Sequence, residues 1–243
     1  MRKVIERAWI RLAAMFALFT VELIVVLALF LTCIIVFLLL GREILGGREV
    51  YFDQAAFHYM DTIATPFLTS VAVFFSFLGS APFITGAAII LIVYFLFIKK
   101  HRWYSLKVPV IAVGSITLNL VTKYFFNRQR PIIPHLVEAS GLSFPSGHSM
   151  VSASFYGLLI YLSWHNIQDR RLHHLFTFIL IATIFLIGCS RVYLHVHYAT
   201  DVMAGFAAGF LWVILGIYGL RRMERYSRRN LDPIVQEAVV KTE

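Results

Sequence analysis

"LAAMFALFTVELIVVLALFLTCIIVFLLL", residues 12–40, runs for 29 residues with a single charged side chain, Glu22. As a helix it would rise about 44 Å, more than the roughly 30 Å of hydrocarbon in a bilayer. The run is too long for a signal-peptide core, and no small-residue cleavage pattern follows it. It reads as a retained transmembrane helix, long enough to tilt. Glu22 within it is expected to find an interior hydrogen bond, because a lone carboxyl facing lipid is costly.

The remainder of the chain continues the pattern. Of 243 residues 59% are hydrophobic, 14% are charged and 22 are Phe, with a mean hydropathy of +0.77. A soluble domain is nearer one quarter charged. Five more apolar runs, at 80–98, 105–126, 148–165, 172–189 and 200–220, complete six spans. The expected fold is all-α, a polytopic membrane bundle of six transmembrane helices, with residues 1–243 forming one embedded domain. Cys33 and Cys189 sit in or beside apolar runs. They read as packed thiols, not as a disulfide framework or a metal site.

Charge gives the sidedness. With a cytoplasmic N-terminus, residues 1–11, 99–107, 165–171 and 221–243 share the inner side and carry 16 of the 22 Lys and Arg. This is the positive-inside pattern. It places both termini in the cytoplasm and explains the net charge of +9 without nucleic acid. The tail "RRMERYSRRN" (221–230) is then a headgroup-facing anchor. Residues 41–79 fall on the outer side. Their apolar part, "TPFLTSVAVFFSFLG" (65–79), is short, and a seventh span there would put "KKHR" outside. It is expected to be an interfacial or re-entrant helical segment. Ser80 is a candidate N-cap for the second span, with Pro82 in its first turn.

The six outer cations are Arg42, Arg48, Lys123, Arg128, Arg130 and Arg191. Four of them accompany three polar clusters that the topology returns to one face. "KYFFNRQRP" (123–131) follows the third span, "PSGH" (145–148) opens the fourth, and "SRVYLHVHYATD" (190–201) follows the fifth. Lys123 and Arg130 suit an anion, as a point charge and a bidentate donor. Pro131 moves Arg130 out of helical geometry. Ser146 offers a hydroxyl, and Gly147 lets backbone approach a ligand. The helix start points free N–H groups outward, with Ser146 or Ser149 as cap. His148 could give a proton. His197 and Asp201, at i and i+4, would stack on one helical face. A carboxylate on one imidazole nitrogen leaves the other as nucleophile or base. His195, two residues away, cannot share that face.

Together these segments resemble the signature of the type 2 phosphatidic acid phosphatase (PAP2) superfamily. That pattern is Lys-x6-Arg-Pro, then Pro-Ser-Gly-His, then Ser-Arg-x5-His-x3-Asp. The chain matches at Lys123, Arg130 and Pro131, at Pro145, Ser146, Gly147 and His148, and at Ser190, Arg191, His197 and Asp201. The motifs cover 123–201, and the six-span plan extends the likeness over most of the chain. The resemblance implies a PAP2/haloperoxidase-like core and a lipid phosphatase. In it His197 attacks phosphorus to give a phosphohistidine, and Asp201 orients the imidazole. His148 protonates the leaving oxygen and then activates water. Lys123, Arg130, Ser146, the Gly147 N–H and Arg191 would grip the phosphate oxygens. No compact Asp/Glu cluster suggests a metal, so metal-independent turnover without a cofactor is expected.

The stretch "RQRPIIPHLVEASGLSFPSGHSM" (128–150) resembles bacterial members acting on phosphatidylglycerophosphate and undecaprenyl pyrophosphate. The expected partners are a lipid phosphate and the bilayer, with no obligate protein partner, in a cell membrane with the site on the extracytoplasmic face. A phosphotransferase would use the same residues. A phospholipid transporter would need the cations but not the His197–Asp201 pair. Asn119 could orient Lys123 or pack between helices. Asp53, His58 and Asp61 could line an entrance or face water. Gly205 and Gly209, four apart, suit close helix packing.

Overall fold

The computed structural model describes residues 2–47 and 51–231, with side chains from Leu23 onward. The described residues form eight α-helices and no strand. They are α1 (Arg2–Leu45), α2 (Tyr51–Thr62), α3 (Pro66–Leu78), α4 (Ala81–Val93), α5 (Arg102–Phe126), α6 (Gly147–Asn166), α7 (Arg170–Tyr193) and α8 (Ala199–Tyr226). α4 and α8 each end in a π-helical turn, Tyr94–Ile98 and Ser227–Leu231. Glu22 and residues 1–11 lie outside the described side chains, as does the tail beyond Leu231.

Local chemistry sets the helix ends. Thr65 and Ser80 cap α3 and α4, each with proline in the first turn. Asp169 accepts from the Arg171 and Leu172 N–H groups at 2.7 and 3.2 Å to start α7. Asn127, at φ 46°, closes α5 in the left-handed conformation that Asn tolerates. The helix therefore stops between Lys123 and Arg130, leaving Arg130 on a loop.

Among the described residues, five helical segments are long and apolar enough to cross a membrane: Leu23–Leu45, Ala81–Ile98, Arg102–Phe126, Arg170–Tyr193 and Ala199–Leu231. The protein is a multi-pass helical membrane bundle. α6, at 148–165 in the sequence reading, has the length but is too polar to join that group. It packs on α5, α7 and α8, and Ser149, Ser152 and Ser154 are fully buried along it. Ser154 Oγ donates to the carbonyls of Met150 (3.0 Å) and Gly209 (3.1 Å). Enclosed by protein, such a helix satisfies its hydroxyls internally and does not need a lipid-compatible surface. α1 is the opposite case, with 6% of its apolar window buried. Leu23, Ile24 and Val25 are among its outward-facing residues.

The segment 65–79 forms the short helix α3, which lies against α7. Gly205 and Gly209 bring α8 onto the start of α6. A Cβ at either would sit 2.7 Å from the Ser146 carbonyl oxygen or 2.4 Å from that of Met150. Cys33 is buried, Cys189 is half-buried, and both are free.

Candidate active site

The site grows from the N-terminus of α8. Asp201, the third residue of the helix, turns back so that Oδ2 accepts from the Tyr198 N–H at 3.0 Å, as in a capping box. The same Oδ2 lies 3.4 Å from His197 Nδ1. His197 precedes the helix, which corrects the expectation that a helical face stacks the pair. The carboxylate reaches the imidazole by capping the turn, and the i, i+4 spacing is kept for that reason. His197 is otherwise fixed by its N–H bond to the Arg191 carbonyl at 3.2 Å. His195 between them takes a positive φ of 62°.

Ser143 completes this unit. Its hydroxyl donates to Asp201 Oδ2 and lies 3.3 Å from His197 Nδ1. With Nδ1 directed at these acceptors, Nε2 carries the lone pair on the other side of the ring. Arg130 NH1 is 3.4 Å from that Nε2 and donates to the Val196 carbonyl at 2.6 Å. Burial pushes the His197 pKa down to about 4, opposed by the Asp201 carboxylate. The imidazole is therefore neutral at pH 7, the form able to act as base or nucleophile.

The "PSGH" turn docks on the same point. The Ser146 N–H donates to the Asp201 carbonyl at 3.0 Å, and its hydroxyl caps α6 by accepting from the Ser149 N–H at 3.4 Å. Gly147 begins α6 where a Cβ would meet Asn119 Oδ1 at 2.9 Å. Asn119 donates to the Pro145 carbonyl at 3.2 Å, so it positions this turn and does not orient Lys123. Half-buried His148 has the cations Arg191, Arg130 and Lys123 and the imidazole of His197 as its titratable neighbours.

The cations arrive from three elements. Lys123 reaches from the end of α5 to the Leu142 and Ser143 carbonyls. Arg130 comes from the loop, where it also holds the Ser140 and Gly141 carbonyls at 2.8 and 3.0 Å. Arg191, at the end of α7, is buried and donates through NH1 to Ser76 on α3. Its Nε–H is buried without a partner. An orphaned guanidinium donor beside two imidazoles and two further cations is the arrangement an anion would satisfy. Among the described residues, no group of three or more His, Cys, Asp or Glu could hold a metal ion.

Sequence reasoning missed a layer behind this site. Arg128 donates to Asp201 Oδ1 (2.6 Å), Thr200 Oγ1 (2.8 Å) and Asp53 Oδ2 (2.9 Å), and it stacks over Tyr198. Asp53, 3% exposed, also accepts from the Thr200 N–H at 2.8 Å. It does not face water, and it sits on the wall of a cavity it shares with Arg128, Phe57 and Ile132. Asp61 pairs with His195 Nε2 at 3.0 Å. An acidic residue in the first turn of α2 and an extra arginine between Lys123 and Arg130 were the available signals.

Fold and site define the class: a polytopic membrane protein with two histidines gathered among cations at one end of its bundle. The PAP2 superfamily model matches residues 104–224. Phosphatidylglycerophosphatase B of Bacillus subtilis is 33% identical over 180 residues, covering 74% of this chain and 88% of the relative. A putative undecaprenyl-diphosphatase of Escherichia coli, YbjG, is 25% identical over 68% of this chain and 84% of its own length. The crystal structure of the Bacillus subtilis transmembrane PAP2-type phosphatidylglycerolphosphate phosphatase superposes with a TM-score of 0.73 and 29% identity. That match covers 81% of this chain and 98% of the other. Aquifex aeolicus LpxE shares the fold at TM-score 0.53 and 24% identity, over 70% of this chain and 99% of the other. The chain belongs to the PAP2 superfamily and is a phosphatase.

Proposed function

We propose that the protein hydrolyses the terminal phosphate of a lipid phosphate or pyrophosphate, with phosphatidylglycerophosphate and undecaprenyl pyrophosphate the favoured substrates. The observation that carries this reading is the convergence of Lys123, Arg130 and Arg191 on two histidines, with the buried Arg191 Nε–H unpartnered. Asp201 compensates these cations only in part, because Arg128 already pairs with it at 2.6 Å and no hydrogen bond joins it to Lys123, Arg130 or Arg191.

His197 Nε2 attacks phosphorus, forming an N–P bond as the P–O bond to the lipid breaks. His148 gives its proton to the leaving oxygen. It then takes a proton from water, whose oxygen attacks phosphorus, releasing phosphate and restoring His197. Asp201 and Ser143 hold the ring and stabilise the charge it develops. Lys123, Arg130 and Arg191, with the Ser146 hydroxyl and the Gly147 N–H at the start of α6, grip the phosphate oxygens. Phosphoryl transfer depends on such positioning and charge stabilisation. The three cations take the role a metal plays elsewhere, so turnover proceeds without one. The positive-inside pattern of the basic links supports a site on the extracytoplasmic face of a cell membrane, with both termini in the cytoplasm. A cavity of about 410 Å³ beside Arg128, walled by Ile44, Phe57, Ile132 and Ile133, suits the start of an alkyl chain.

The test is phosphate release by the purified protein in detergent with EDTA, across a panel of lipid phosphates and pyrophosphates, beside His197→Ala. Release by wild type and background levels for the variant are expected. Loss of wild-type activity in EDTA would remove the metal-free step. Lipid binding without release would redirect the reading to a transferase or a transporter.

A further inference from the structure

The opposite end of the bundle holds a second concentration of charge. Lys107 on α5 lies 16 residues before Lys123, which is about 24 Å along the helix. Lys107 is 1% exposed. Its ammonium donates to Glu224 Oε2 at 3.0 Å and sits over the rings of Tyr104 and Tyr161, at 4.8 and 5.6 Å from their centroids. An ammonium has three donors, and one carboxylate oxygen takes one of them.

These groups line a cavity of about 700 Å³. Arg221, Arg225 and Arg228 join Lys107 on its wall, and among the described residues Glu224 is the single carboxylate there. Glu224 is shared, since Arg228 NH2 also donates to it at 2.8 Å. Arg221 is held in place by Tyr161 Oη, which accepts from its Nε at 2.9 Å, and by His165 Nε2. His165 Nδ1 donates to the Tyr161 carbonyl at 2.8 Å, which leaves Nε2 as the acceptor for Arg221. Lys107, Arg221 and Arg228 are thus held by aromatic rings or fixed partners, and with Arg225 they set four positive charges against one negative among the described residues.

We propose that this cavity is a second anion site, taking a phosphate-bearing group, either an anionic lipid headgroup or free phosphate. It is separate from the phosphatase site, and it stands whether or not that reading does. Phosphate fits the donor set: guanidinium forks and an ammonium around an aromatic-walled space. A built cavity also makes a prediction that a diffuse basic tail does not. Cations lining it should matter more than equal cations beside it.

The experiment uses the full chain in detergent and two charge-matched pairs, Arg225→Gln/Arg228→Gln lining the cavity and Arg222→Gln/Arg229→Gln outside it. Phosphatidylglycerol and phosphatidylcholine binding are titrated by native mass spectrometry. Thermal shifts of the delipidated protein are recorded in inorganic phosphate. The lining pair should weaken phosphatidylglycerol binding roughly 30-fold, from about fivefold per cation near a membrane surface. The outer pair should change it less than threefold, and phosphatidylcholine should bind all four proteins alike. If only the phosphate-induced shift is lost in the lining pair, the site takes free phosphate. Equal losses in both pairs, or none in either, overturn the proposal. Both pairs contain the same phosphatase site, so its own affinity for phosphate cancels, and a failed activity assay would leave this comparison intact.

Discussion

Arg128→Met should expose how much of the site rests on the layer behind it. The guanidinium joins two carboxylates, 2.6 Å from Asp201 and 2.9 Å from Asp53, with side-chain exposures of 0% and 4%. Removing one partner of a buried ion pair typically costs about 3–5 kcal/mol, because the remaining charge is left without compensation. Arg128 itself keeps 15% of its side-chain surface open to solvent, which places the cost near the low end, about 3 kcal/mol. For a chain of this size that corresponds to a fall of about 6–12 °C in the unfolding midpoint. Asp53→Asn alone should cost about 1 kcal/mol, since an amide oxygen still accepts from the Thr200 N–H. The informative variant is the double. With one carboxylate gone, Asp201 retains Ser143 and the Tyr198 N–H, so Arg128→Met/Asp53→Asn should be more stable than Arg128→Met by about 1–2 kcal/mol. The assay is thermal unfolding of the four proteins in one detergent. Additive losses would refute the reasoning, because they would mean that Arg128 does not compensate Asp53.

Three further expectations bear on the site itself. Ser143→Ala removes a hydroxyl donor to Asp201 and a neighbour of His197 Nδ1; kcat should fall by about 10–100-fold with little change in KM, as steady-state kinetics on a short-chain substrate would show. His197 has its pKa lowered from 6.5 to about 4 by burial, so it stays neutral through pH 5 and becomes protonated, and inactive, as pH falls through about 4. The acid limb of kcat/KM reports this group in the free enzyme, and a limb near pH 6.5 would contradict the burial. Gly147→Ala places a methyl 2.9 Å from Asn119 Oδ1, a clash of about 1–3 kcal/mol, so activity should fall at least tenfold, with partial recovery in Gly147→Ala/Asn119→Ala.

The sequence made the bundle legible because lipid imposes long apolar runs, and charged links separate them. It located α6 at 148–165, against Gly147–Asn166 in the structure, but gave no sign that this helix is the sheltered one. A central helix sheltered by α5, α7 and α8 can carry Ser149, Ser152 and Ser154, so its polarity reflects position in the bundle and not distance from the membrane. At the site, Lys123, Arg130, Arg191, His148 and His197 were visible through fixed spacings within short segments. Asp53 and Arg128 were not, since 75 residues separate them and no periodicity links α2 to a loop. Ser143 was hidden for a different reason. One serine in a loop carries no pattern, and its role depends on Asp201 turning back over the start of α8. The i, i+4 spacing of His197 and Asp201 suggested contact correctly but attributed it to a helix face, because a capping turn and a helix satisfy the same spacing.

That capping turn explains why structure and chemistry are hard to separate here. Asp201 ends the exposed N–H groups of α8 through Tyr198, receives Ser143 and Arg128 on its side chain, and accepts the Ser146 N–H on its carbonyl. One residue therefore joins the helix start, the "PSGH" turn and the histidine ring. Gly205 and Gly209 act on the same junction by letting α8 approach the Ser146 and Met150 carbonyls. A change in how α8 seats against α6 would shift the two histidines relative to each other, although neither glycine touches them. Short-range caps and close helix packing thus set the separation between His148 and His197. The cations, which repel one another, are held by carbonyls of the 140–143 loop and of Val196, and by Ser76. Their placement depends on backbone already fixed by that junction, so the positive site is assembled at a cost in repulsion that a bound anion would relieve.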